Sequence, residues 1–179
     1  MTDEPTEDEG TDDEAVEPEV EIETRYGAAV VTDRGATVLF ADRDGYLDTV
    51  TQAREDGFVM CADVTAVDYL THPDRTVGPG ATAERFELVV NLFDPARRRR
   101  IRIRVQVPED DPTVPSIYSM FPGADAPERE VFDMFGITFD GHPDPTRILM
   151  PDDWIGHPLR KDFAQGRIPV QFKSATNVR

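Results

Sequence analysis

The sequence predicts an α+β fold: a small, mostly antiparallel sheet with two or three helices, followed by an extended C-terminal segment that packs on a partner. Three observations carry this reading. Residues 86–107 alternate apolar and polar on both sides of a turn, the period-two signature of a hairpin. Residues 42–57 and 127–136 carry helical spacing, and each ends on a glycine. Prolines at 143, 145, 151, 158 and 169 then exclude a long helix or central strand from the last 44 residues.

The 179 residues carry 36 Asp and Glu against 19 Lys and Arg, a formal charge of −17. Residues 1–23 hold 12 of the acids and no base, so the body is only mildly anionic. Residues 1–24 read as a disordered acidic tail with almost nothing to bury, a solubilising appendage or a docking arm for a basic surface. The longest apolar run is five residues, Phe58–Ala62, against the ~20 that a membrane-spanning helix needs. No secretory signal is expected, because the first basic residue is Arg25 and no apolar stretch precedes it. One cysteine, Cys61, excludes an internal disulfide and an iron–sulfur cluster held by this chain alone. Nucleic acid is a poor partner for so acidic a chain.

A domain over 25–135 is expected to begin with a hairpin, Ala28–Thr32 and Ala36–Ala41 around Asp33-Arg34-Gly35. Asp42 is the expected cap of a helix running through Leu47, Val50 and Arg54, with Gly57 as its left-handed stop. Phe58–Leu70, rich in β-branched and aromatic residues, reads as a strand, and residues 75–83 as a polar loop. In the second hairpin Phe86, Leu88, Val90 and Leu92 share one face; after Asp94-Pro95-Ala96, Ile101, Ile103, Val105 and Val107 alternate with Arg100, Arg102, Arg104 and Gln106. The arginine row is expected to be solvated or paired across strands with Glu84 and Glu87. Pro127 opens a short helix to Phe135, with Arg129 in reach of Asp133 at i,i+4. The segment 136–179 lacks regular structure yet contains Ile148, Leu149, Met150, Trp154, Leu159, Phe163, Val170 and Phe172, which must bury against the body or a second protein. A partner is the favoured site for much of it.

Chemistry-bearing patterns are sparse. His72, His142 and His157 each precede a proline, the last two in Gly-His-Pro triplets that suit a turn with a fixed imidazole hydrogen bond better than a metal site. Gly78-Pro79-Gly80 and its neighbours match the letters of a dinucleotide fingerprint without the strand and helix that motif needs. Cys61 reads as a small buried residue. Polar residues cluster at Glu128, Arg129, Glu130, Asp133, His142, Asp144, Arg147, His157, Arg160, Lys161 and Asp162. Glu128 and Glu130 point to different faces of a helix, so a general acid–base pair is disfavoured. An ion-pair network fixing the C-terminal segment is the simpler expectation.

These residues also resemble a known family. Glu128 to Ile137, Phe139-Asp140-Gly141-His142-Pro143-Asp144, Arg147-Ile148-Leu149 and Gly156 to Phe163 look like the C subunit, the 30-kilodalton type, of respiratory complex I, the proton-translocating NADH:quinone oxidoreductase. Asp63 to Tyr69, Arg85 to Val89 and Ser119 to Ala124 follow the family in order, and the match covers roughly residues 25–165. Ala124-Asp125-Ala126-Pro127 departs from it where members carry a tryptophan, as does Thr146 where a basic residue is common. The resemblance implies a peripheral, non-catalytic subunit on the cytoplasmic side of the cell membrane. It would bind no cofactor itself; FMN, iron–sulfur clusters, NADH and quinone belong to the rest of the complex. Its partners would be the large D-type quinone-site subunit and other peripheral-arm subunits. The alternatives are an equivalent subunit of a membrane-bound hydrogenase or other-donor dehydrogenase, and a free-standing enzyme using Glu128, Asp133, His142 and His157.

Overall fold

The computed structural model describes residues 22–164. The acidic stretch through Glu21 and the end of the chain with Val170 and Phe172 lie outside the described residues, and so do the expectations placed on them. Six strands form one sheet: β1 (Thr24–Arg25), β2 (Ala28–Asp33), β3 (Ala36–Ala41), β4 (Met60–Asp68), β5 (Phe86–Asp94) and β6 (Arg99–Val107). Their order across the sheet is β1-β2-β3-β6-β5-β4. Neighbours are antiparallel except β3 and β6, which run parallel with Leu39 opposite Ile103. Helix α1 (Tyr46–Glu55) carries the chain from β3 to the far edge, and the meander β4–β5–β6 returns to close on β3.

Alternation decides which face is covered. Ile101, Ile103, Val105 and Val107 are buried, as are Phe86, Leu88, Val90 and Leu92 opposite them. Against this face pack Tyr46, Thr49, Val50 and Ala53 of α1, spaced i, i+3, i+4, i+7 as one apolar stripe requires. Helix α2 (Asp125–Phe135) adds Val131, Met134 and Phe135 to the same core.

Four local expectations are corrected. Thr24, assigned to the tail, lies in β1, where the Glu23 carbonyl accepts the Val30 N–H at 2.8 Å. Asp42 caps nothing: α1 starts at Tyr46 after Gly45, with no side-chain cap. Arg129 does not reach Asp133 along the helix but turns to residues 144–147. The stretch after Gly136 holds one short strand, β8 (Thr138–Asp140), parallel to β7 (Thr113–Pro115). Neither β7 nor β8 carries a hairpin or helix signal, because three-residue strands are defined only by what they pair with.

Gly78 rests on the ring of Phe40 so closely that a Cβ there would stand 2.2 Å from ring atoms. The fingerprint-like loop is therefore a strap on the sheet. In the arginine row, Arg104 forks onto buried Glu87 (Nε–Oε1 2.8 Å, Nη2–Oε2 2.9 Å), the cross-strand pairing expected of it.

Candidate functional site

Helix α2 delivers two carboxylates, Glu128 and Asp133, to fully buried positions, while Glu130 between them is exposed. A buried carboxylate needs donors on every lone pair, and Asp133 has them. Its Oδ2 accepts the consecutive backbone N–H groups of Ile148 (3.1 Å), Leu149 (2.8 Å) and Met150 (2.8 Å), and its Oδ1 accepts Arg147 Nη1 at 2.6 Å. Burial pushes the Asp133 pKa up, but the Met150 amide, Arg147 and the other two amides outweigh it, so the acid is held below its usual 3.8.

The open end of α2 is closed by the same segment. Helix termini leave carbonyls without intrahelical donors. Here His157 Nδ1 meets the Asp133 carbonyl at 3.0 Å, the Leu159 N–H meets Met134 at 3.0 Å, and Arg160 Nε meets Phe135. Arg147 and Arg160 also place positive charge at the negative end of the helix dipole. Burial, together with Arg160 and Arg147, keeps the His157 pKa low despite the Asp133 carbonyl, so its neutral Nδ1–H donates. Gly136 makes this approach feasible: its φ is +74°, and an added Cβ would stand 2.6 Å from His157 Nε2 and 2.8 Å from an Arg160 nitrogen. Gly136→Ala should therefore lower stability by about 2 kcal/mol or more, the left-handed strain alone costing roughly 1–2 kcal/mol. A urea titration checks this.

A second anchor joins the segment to the sheet. Asp68 at the end of β4 is fully buried and forks with Arg85 (Nε–Oδ1 3.2 Å, Nη2–Oδ2 3.0 Å). Asp68 Oδ2 also accepts the Lys161 N–H at 2.8 Å, while Arg85 Nη2 reaches Asp162 at 2.9 Å and Nη1 reaches Glu109. Lys161 contributes its backbone here, and its side chain is exposed. Burial raises the Asp68 pKa, but Arg85 and the amides of Lys161 and Leu70 bring it below 3.8. A native pKa below the unfolded value means that the stabilisation is present above the unfolded value of 3.8 and is lost as the pH falls below it through the lowered native pKa. Acidification well below pH 3.8, through the lowered native values of Asp133 and Asp68, should thus free residues 147–162 from both anchors, read as lost amide protection at Leu149, Met150 and Lys161.

Glu128 accepts Ser116 Oγ and the Ile117 N–H (2.8 Å), tying α2 to the chain after β7. Burial outweighs these bonds and raises its pKa. The His142 ring packs tilted against Tyr118, with centroids 5.8 Å apart, and its Nδ1 accepts the Asp144 N–H at 3.1 Å, the fixed imidazole bond expected of a Gly-His-Pro turn. Its Nε2 lies 3.8 Å from Glu128. Arg129 holds the following loop through the carbonyls of Thr146 (3.1 Å) and Arg147 (3.0 Å) and the Thr146 hydroxyl (2.8 Å). Thr146 serves as an acceptor there, which a basic side chain would not. Among the described residues no group of three His, Cys, Asp or Glu side chains is placed to hold a metal ion.

Of the residues singled out in the sequence, Asp133, Arg147, His157 and Arg160 gather at the C-terminal end of α2, Glu128, Arg129, His142 and Asp144 meet along its first half, Lys161 and Asp162 join the anchor on the sheet, and Glu130 stands apart. Asp68, Arg85 and Ser116 belong with them but carry no site signal of their own in the sequence. Burial pairs Asp68 and Arg85 across 17 positions, and only their place in the ordered family stretches marks them. Along the same segment Ile148 (40% exposed), Leu149 (60%), Ile155 (91%) and Leu159 (48%) are left exposed.

The family model of the respiratory-chain NADH dehydrogenase 30 Kd subunit matches residues 39–168. This chain belongs to that family. It is 48% identical over 149 residues to the C subunit of NADH-quinone oxidoreductase from Saccharopolyspora erythraea, covering 82% of this chain and 56% of that protein. It is 42% identical over 169 residues to the C subunit of the same enzyme from Salinispora arenicola, covering 91% and 65%. The chain therefore spans about 56–65% of the length of these curated relatives. Among solved structures it resembles the trypsin-resistant fragment (1-134) of Nqo5, with a TM-score of 0.59 and 35% identity over 66% of this chain and 89% of that one. It also shares its fold with a chain of an archaeal membrane-bound sulfane sulfur reductase, with a TM-score of 0.60 and 22% identity over 86% of this chain and 91% of that one. Both anchors lie within the part of the chain that the 30 Kd family model spans.

Proposed function

We propose that this chain is a non-catalytic peripheral-arm subunit of a proton-translocating NADH:quinone oxidoreductase, and that residues 136–164 are the strap with which it grips the large D-type subunit beside the quinone-reducing module. The observation that carries the reading is the two-sidedness of that strap. Its backbone is tied to buried Asp133 and Asp68, while Ile148, Leu149, Ile155 and Leu159 face outward. A segment fixed so firmly on one side and so apolar on the other suits a preformed contact, since its ordering has already occurred before a partner arrives. The chain holds no cofactor in this reading. Electrons pass from NADH through FMN and iron–sulfur clusters to quinone on neighbouring subunits. In this reading the chain sits peripherally on the cytoplasmic side of the cell membrane; among the described residues no helix is long and apolar enough to cross a membrane.

Two of the outward residues give a direct test. Leu149→Asp with Ile155→Asp should leave the melting temperature of the isolated chain nearly unchanged, because both side chains are already exposed. The same pair should weaken association with the large subunit by on the order of 100-fold or more, at roughly 1.5–3 kcal/mol for each buried apolar side chain. Native-membrane purification through a tag on the full chain reads both identity and assembly. A flavin- and cluster-bearing NADH module with membrane subunits is the expected company. A hydrogenase or other donor module would move the chain to a related complex, and elution alone would overturn the reading.

A further inference from the structure

The outer face of the sheet, opposite the helices, is closed unevenly. The Gly78 strap covers the part around Phe40. Beside it a groove of about 450 Å³ opens across β3, β6, β5 and β4, lined by Thr37, Asp63, Asn91, Phe93, Arg100 and Arg102. Arg100 and Arg102 are exposed. The Arg100 guanidinium lies over the Phe93 ring at 5.3 Å, and Arg102 Nε donates to Asn91 at 3.2 Å. Arg104, two residues on, is paired with Glu87 through Nε and Nη2. Among the described residues no carboxylate stands within salt-bridge distance of Arg100 or Arg102, so the arginine row runs out of partners at this end of the sheet.

The described chain begins near that end. Thr24 pairs with Ala29, and the Glu23 carbonyl accepts the Val30 N–H at 2.8 Å. Read backward from Thr24, the described residues Glu23 and Ile22 head in the direction of Asp33, the end of β2 at which the groove opens. From β1 to β6 is three strand steps, about 14 Å at ~4.8 Å each. Four or five extended residues at ~3.3 Å each cover that distance. Residues 1–21 hold 11 acidic side chains and no basic one.

We propose that the chain's own acidic segment, residues 14–21 foremost, lies across this groove and supplies through Glu14, Glu17, Glu19 and Glu21 the carboxylates that Arg100 and Arg102 lack. Exposed ion pairs are individually weak. A tether this short sets a millimolar effective concentration, so weak pairs suffice to hold the segment in place. An anionic partner reaching the same arginines must first displace it.

The test uses the full chain with Val16→Cys and Cys61→Ser, a nitroxide on the new thiol and isotope labelling for amide resonances. Broadening is expected at Thr37, Asn91 and Arg102 at low salt. It should vanish at about 1 M salt, where the screening length is about 3 Å. It should also vanish in R100E/R102E, and in R100Q/R102Q should charge reversal disturb folding. Uniform or absent broadening overturns the proposal, as does broadening that survives either double substitution. Mixing nitroxide-bearing chains with separate isotope-labelled chains distinguishes the remaining case: broadening there places the segment on a second copy and overturns docking within one chain.

Discussion

Asp133→Ala should lower the melting temperature by on the order of 10 °C and release residues 147–150 from the domain. The substitution strips Arg147 of its carboxylate and leaves three consecutive backbone N–H groups, those of Ile148, Leu149 and Met150, without an acceptor. Removing one side of a buried charged network costs about 3–5 kcal/mol. For a chain of this size each kcal/mol corresponds to roughly 2–4 °C. Asp133→Asn should be nearly as damaging, because all four bonds reach its side chain from donors and an amide would turn an N–H toward one of them. Thermal melts with hydrogen exchange at Leu149 and Met150 decide the matter. A melting temperature within a degree or two of the parent, with those amides still protected, would show that the segment is held by something else. Assembly should fall with the same substitution, since the outward apolar residues are presented by the backbone that Asp133 fixes.

Arg85→Ala should cost a similar 3–5 kcal/mol for the complementary reason: a cation is lost and its anions stay behind. Asp68 would remain fully buried with only the N–H groups of Leu70 and Lys161 as donors, and Asp162 and Glu109 would lose their shared partner. The sign of the pH dependence follows. Asp68 is charged at neutral pH because Arg85 and the amides outweigh burial. The cost of removing Arg85 should therefore shrink as the pH falls toward 4 and the stranded carboxylate protonates. Arg85→Lys should rescue little, since one ammonium cannot reproduce the Nε and Nη2 fork on Asp68. Adding Asp68→Asn to Arg85→Ala should recover part of the loss by removing the buried charge. Denaturant titrations of the parent, Arg85→Ala, Asp68→Asn and the double variant form a double-mutant cycle, and strictly additive effects would rule out the pairing.

The two anchors explain why a proline-broken segment is ordered at all. Residues 141–164 form no strand or helix of their own. Their backbone donors are instead spent on Asp133, Asp68 and the last carbonyls of α2. This is ordering by long-range hydrogen bonding, and it needs two buried carboxylates at fixed places on α2 and β4. The exposure of Ile155 follows from the same geometry, because Trp154 and Phe163, 6.4 Å apart, pack on each other and leave their neighbour facing out.

Local periodicity makes much of the fold legible in the residues alone. Both hairpins, the helix ending at Gly136 and the inward faces of β5 and β6 follow from alternation and helical spacing. The start of α1 does not, because Asp42 is a good capping residue by type, yet the chain needs three more residues after β3 to turn onto the sheet. Within the cluster around α2, spacing separates Glu128 from Glu130 correctly, since two positions along a helix cannot share a face. It assigns Arg129 the wrong partner, because an i,i+4 carboxylate is available on paper, whereas the fold spends Asp133 on Arg147 and three amides.

The family, the α+β class, the concentration of acidic residues in the first 23 positions and the apolar character of the C-terminal strap are all written in residue types or short-range order. The parallel seam between β3 and β6, the β7–β8 pair and the engagement of Asp68 with Arg85 and Lys161 emerge only once the chain is folded. The Asp68 contacts join residues 17 and 93 positions apart along the chain, and no local pattern encodes which buried carboxylate will meet which distant amide. The physical reason is burial. An acid removed from water must find donors wherever the fold brings them, and those donors are backbone N–H groups that look alike in any sequence.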